Sequence, residues 1–241
     1  LPIILGTRVD AVGLAEAADR VLAWAEAGET RMVAAANVHM LVEARDDPAF
    51  ADRLARFDLV TPDGMPLVWR LRRMGHAGQE RVYGPDLTLE VCTRAAARGV
   101  PIGIFGGSPE ALAGTRRALL DRFPELRIVH AESPPIRPAR VEDAATLAAI
   151  RASGARILLV ALGCPKQEHW VALNAPHLPM VHLAVGAAVD FLAGRVAQAP
   201  PWLQRAGLEW AFRLVADPRR LWRRYAYTNT RFVSELLLGR V

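Results

Sequence analysis

Asp63 is the first side chain in this sequence framed as a reactive group. It stands in Thr61-Pro62-Asp63-Gly64, between a short apolar run and a helix-like stretch. A carboxylate held on a turn at a sheet edge can take a proton from a hydroxyl. The same Pro-Asp-Gly spacing suits a turn or helix-capping aspartate, which the local pattern favours. Asn37, in Ala36-Asn37-Val38-His39, is open in the same way between helix cap and substrate ligand. Gly106-Gly107-Ser108 opens a helix and has the form of a phosphate cradle, because glycines let backbone N–H groups approach an anion at a helix N-terminus. A tight strand–helix turn accounts for it equally well. Gly163-Cys164-Pro165-Lys166-Gln167-Glu168 is more specific. Lys166 is the sole lysine of the chain, and a cation in a first helical turn opposes the helix dipole unless an anion is present. Arg81 reads locally as a solvated charge.

Other chemistries lack their residues. The six histidines show no HxxH or HExxH spacing, no Asp-x-Asp stands ready for a divalent ion on a diphosphate, and no metal is expected. There is no GxGxxG, no Walker lysine and no Gly-x-Ser-x-Gly elbow. Cys92 and Cys164 form no disulfide framework, which fits a reducing compartment.

These segments all follow candidate strands. Short apolar runs at Met32–Ala36, Asp58–Val60, Pro101–Phe105, Leu126–His130, Arg156–Leu162 and Met180–Val185 alternate with amphipathic stretches. That rhythm predicts an α/β fold, Rossmann-like, with a mostly parallel sheet flanked by helices. Ligands in such sheets bind beyond the carboxyl ends of the strands, where Asn37, Asp63, Gly106, Gly163 and Gly186 fall. The Pro-rich Ser133–Pro138 reads as an internal loop. Gln198-Ala199-Pro200-Pro201 marks a boundary, giving an α/β body over 1–196 and a basic helical appendage over 197–241.

The charge follows that division. The chain has 241 residues and a net charge of +5. From Pro200 onward there are eight arginines against three acids, so the body is neutral and the whole excess belongs to the tail. The tail also holds three of the six tryptophans and two of the three tyrosines. Leu203, Trp210 and Leu214 predict one amphipathic helix. Leu221, Trp222, Tyr225, Phe232, Val233 and Leu236 predict another, flanked by Arg219, Arg220, Arg223, Arg224 and Arg231. No apolar run approaches the ~20 residues that span a bilayer, and Leu1–Asp10 has no signal-peptide pattern. A nucleic-acid module would need a stacking platform, whereas these aromatics alternate with Leu and Val at helical spacing. A nucleotide-dependent oxidoreductase or epimerase would need the missing dinucleotide fingerprint.

Taken in order, Ala36-Asn37-Val38-His39, Thr61–Trp69, Glu80–Leu87, Phe105-Gly106-Gly107, Leu159–Glu168, Val185–Gly194, Ala199–Trp202, Gly207–Trp210 and Arg219–Tyr225 resemble the WecG/TagA/CpsF family, glycosyltransferase family 26. Ala35 stands where some members carry a threonine. The resemblance implies an inverting glycosyltransferase, and the missing metal-ligand patterns make it a metal-independent one. It would use a UDP-sugar and a polyprenyl-diphosphate-linked saccharide in bacterial cell-surface polysaccharide assembly, such as teichoic acid or exopolysaccharide. It implies Asp63 as the catalytic base, with Asn37, Thr61, Arg81 and Gln167 on the substrates. Gly106, Gly107, Lys166 and Asp190 would contact the nucleotide and its diphosphate. Arg213, Arg219, Arg220, Trp222, Arg223 and Arg224 would meet an anionic membrane surface or the lipid diphosphate. The implied setting is the cytoplasm, attached to the inner face of the plasma membrane, as a monomer or a homo-oligomer.

Overall fold

The computed structural model describes residues 1–135 and 138–238. Ile136 and Arg137 of the Pro-rich loop, and Arg240 of the basic tail, lie outside them. Among the described residues, six strands form one parallel sheet: β3 (Arg31–Ala36), β4 (Leu59–Pro62), β5 (Ile102–Gly106), β6 (Ile128–Glu132), β7 (Ile157–Ala161) and β8 (Val181–Ala184), in the order β4-β3-β8-β7-β5-β6. A small antiparallel hairpin, β1 (Ile3–Ile4) with β2 (Thr7–Arg8), precedes it.

Helices cover both faces, so the strands are apolar on both sides. Alternate residues serve opposite layers. Leu158 and Val160 of β7 pack with α2 (Val38–Asp46), α3 (Pro48–Ala55) and α8 (Lys166–Asn174). Ile157, Leu159 and Ala161 pack with α1 (Leu14–Ala27), α5 (Gly84–Arg98), α6 (Pro109–Arg122) and α9 (Ala188–Leu192). The expected Rossmann-like architecture is therefore present. The strand from Leu126 starts two residues later than its apolar pattern suggests, at Ile128.

Register positions the chemistry. Ala36 lies opposite Pro62 on parallel β3 and β4, so Asn37 and Asp63 leave neighbouring strands side by side. The chain steps outward from β3 to β4, then crosses to the other half of the sheet for β5 and β6. Such a reversal opens a crevice at the carboxyl edge. Beside it, α4 (Met65–Arg73) follows the Asp63 turn, and α7 (Ala144–Ala152) covers the first layer.

The tail forms α10 (Pro201–Arg205), α11 (Glu209–Ala216) and α12 (Pro218–Leu237). The single helix expected through Leu203 and Trp210 is two helices, broken at Gly207. Gly207 has φ +70°, and a Cβ there would lie 2.7 Å from the Trp69 ring. The break thus lets the chain turn against α4. Helix α12 lies along α2, where the Tyr227 hydroxyl donates to Asp46 (2.6 Å) and Phe232 is buried.

Candidate active site

A cleft of about 1020 Å³ opens at the carboxyl edge. The ends of β3, β4, β7 and β8 form its floor, with α4 and the tail helices as walls. Asn37, Asp63, Arg81, Gln167, Asp190, Arg213, Arg220 and Arg224 all line it.

Asp63 is held rather than free. Its backbone N–H donates to the Ala36 carbonyl at 2.8 Å, which fixes the turn to β3. Its side chain, 14% exposed, accepts from Arg81 Nη2 at 2.9 Å. Arg81 Nε donates to the Asp63 backbone carbonyl. Burial pushes the carboxyl up to about 6; Arg81 opposes that shift and Glu209 adds to it. A base of this strength changes state just below neutrality, where proton transfer is efficient.

Asn37 fills the helix-cap role, one of the two the sequence left open. Its Oδ1 accepts from the Met40 N–H at 3.2 Å, capping α2, and the residue also lines the cleft. Gln167 is 3% exposed. Its Oε1 accepts from the Gly163 N–H (3.2 Å), and its Nε2 donates to Glu168 (2.7 Å). Gly186, at φ +55°, lies against that amide. Glu168 is fully buried, and burial pushes its carboxyl up to about 7.

Other sequence candidates sit elsewhere. Thr61 is fully buried, with its hydroxyl donating to the Ala34 carbonyl at 3.4 Å, and it is not among the cleft-lining residues. Gly106 and Gly107 do not line the cleft either. The Gly107 N–H donates to the Ala161 carbonyl (2.9 Å). A Cβ on Gly106 would lie 2.4 Å from that same carbonyl oxygen. Close strand packing thus explains Gly106, a Cβ on Gly107 would lie 3.0 Å from Val189 Cγ1 on α9, and Ser108 caps α6 by accepting from the Ala111 N–H (3.2 Å). Lys166 is half-buried at the start of α8, outside the lining. Arg219, Trp222 and Arg223 are exposed on α12 and do not line the cleft.

Several residues enter the site that local sequence reading did not single out. Glu209 pairs with Arg81 at 2.8 Å and accepts from the Tyr83 hydroxyl at 3.2 Å. Gln204 Oε1 accepts from Arg81 Nη1 at 3.2 Å. The Tyr83 ring lies 4.0 Å from the Arg81 guanidinium carbon. His39 lines the cleft, and burial together with the Arg224 charge holds its pKa down to about 4. Only the tail's position could reveal Glu209, since the sequence separates it from Arg81 by more than a hundred residues.

The arrangement offers a poised carboxyl, a floor of amides and a wall of guanidinium groups. Burial lowers the Arg224 pKa, as expected where a cation lacks its usual hydration, and an anionic ligand would relieve that cost. Among the described residues, no three His, Cys, Asp or Glu side chains gather to hold a metal ion. The chain matches the family described as "Glycosyl transferase WecG/TagA/CpsF family" over residues 2–241.

Proposed function

The chain belongs to the WecG/TagA/CpsF family of glycosyl transferases, and from that premise we propose an inverting, metal-independent transfer from a UDP-sugar onto a polyprenyl-diphosphate-linked saccharide. The observation that carries the proposal is Asp63, held on Arg81 in a cleft walled by Arg213, Arg220 and Arg224. Asp63 takes the proton from an acceptor hydroxyl. The oxygen attacks the donor's anomeric carbon on the face opposite UDP. The bond to the UDP oxygen breaks as the new glycosidic bond forms, and the configuration inverts. Charge on the departing diphosphate is met by arginines in a site partly shielded from water, where such pairing is strongest. Asn37 and Gln167 orient sugar hydroxyls, and Asp190 faces the nucleotide. Lys166, at the start of α8, draws in the anionic donor.

The same reading puts the protein at the inner face of the plasma membrane in bacterial cell-surface polysaccharide synthesis. Its exposed Trp202, Trp210 and Trp222 and the exposed Arg219 and Arg223 suit an anionic lipid surface. UDP release measured against a panel of UDP-sugars with a short-chain lipid-diphosphate acceptor tests the reaction. Release that needs both substrates, and is unchanged in excess EDTA, is the expected result. Loss of release in EDTA would overturn the metal-free mechanism, and no release with any UDP-sugar would overturn the donor class.

A further inference from the structure

One guanidinium serves two carboxylates in this cleft. Arg81 Nη2 lies 2.9 Å from Asp63 Oδ1 and 2.8 Å from Glu209 Oε2. Its Nε donates to the Asp63 carbonyl, and its Nη1 donates to Gln204 Oε1 at 3.2 Å. Two of these acceptors belong to the Asp63 turn and two to the tail. Glu209 is anchored independently by the Tyr83 hydroxyl at 3.2 Å. We propose that Glu209, carried on α11, is a positioning residue that sets the basicity of Asp63 by sharing Arg81 with it.

The physical argument is one of divided charge. A carboxylate paired alone with an arginine has its pKa lowered by about 1–3 units, and so weak an acceptor is a poor general base at neutral pH. A second carboxylate on the same guanidinium offsets that pull, and its own charge disfavours ionisation of the first. The titratable and charged groups facing Asp63 are Arg81 and Tyr83 from the chain entering α5, and Glu209 and Arg213 from α11. Asp86 shares the influence of Arg81 and Glu209. Of these, Glu209 is the acid directly paired with the arginine that holds Asp63. The base is therefore at full strength only when the tail is docked.

This inference rests on Asp63 being the base, yet its test does not need turnover. The full chain, labelled with carboxyl-¹³C aspartate, is titrated by NMR, and the Asp63 signal is identified by its loss in Asp63→Asn. The wild-type midpoint is expected near 6. Glu209→Gln should lower it by about one pH unit. The acid limb of the UDP-release rate should move down in step, with a lower plateau. If Glu209→Gln does not fold, Glu209→Asp decides, since it withdraws the carboxylate by one methylene and should lower the midpoint by less. An unchanged or raised midpoint in the folded variant overturns the proposal. Failure of the glycosyl-transfer reading would appear instead as wild-type protein that titrates as expected but releases no UDP.

Discussion

A carboxyl whose pKa is raised by burial carries a cost on ionising that shows in the stability of the fold. Asp63 has an ordinary pKa of 3.8, and burial raises it to about 6. Folding therefore favours its protonated form. The stability this group contributes is fully present below about 4 and is lost as pH rises through about 6. A carboxamide escapes that loss. The stability of Asp63→Asn relative to wild type should therefore rise as pH goes from about 4 to 8, on top of any pH-independent change from losing the Arg81 contact. Urea unfolding of both proteins across that range checks it, and a pH-independent difference would contradict the burial of Asp63. Glu168 has the same sign, with its window between about 4.5 and 7. At this scale the sequence put Asp63, Asn37 and Gln167 at strand ends or a helix start, and all three line the cleft. It was silent on Glu209 and Gln204, whose partner Arg81 lies far away in the chain. It also gave Thr61 and Gly106-Gly107 no means of showing that their polar groups are used inside the fold.

The elements hold the site through close packing at the strand ends. Gly106 has φ +120° and ends β5 against the Ala161 carbonyl. Gly99, at φ +66°, ends α5 facing open space. A left-handed conformation alone costs an alanine about 1–2 kcal/mol. Gly99→Ala should lose that much, and Gly106→Ala clearly more, because β5 and β7 must separate to admit the methyl group. Equal losses in denaturant midpoints would show that the close approach is not limiting. Most strands and helices were legible, since apolar runs and an N-cap serine followed by an N1 proline, as in Ser108-Pro109, are local signals. The hairpin of β1 and β2 was not, because two-residue strands carry no period. Gly207 was also missed as a break, because the reason for it is Trp69 on another helix.

Across the whole molecule the basic excess divides into groups with different surroundings. Arg213, Arg220 and Arg224 face the cleft. Arg231 pairs with Asp46 (3.5 Å) and Glu235 (3.1 Å). Arg219 and Arg223 are exposed beside Trp222, and Val215 and Leu238 are exposed on the same three-helix tail. Among the described residues no helix is long and apolar enough to cross a membrane. Each basic residue near an anionic leaflet gains about 1 kcal/mol, so the full chain should bind anionic vesicles reversibly and release them in high salt. A chain ending at Val196 should not bind in a sedimentation assay, and equal binding by both would remove the tail from that role. The same truncation should abolish transfer, because it removes Glu209, Gln204 and the arginine wall. Composition located the charge, but only packing separates the arginines facing the cleft from those left to a surface. The most direct measurement is the rate of UDP release by Asp63→Asn with saturating donor and lipid-diphosphate acceptor, alongside UDP affinity by calorimetry. Loss of a positioned general base predicts a turnover lowered by about 10²–10⁴-fold with UDP affinity retained. Near-wild-type turnover would contradict Asp63 as the base.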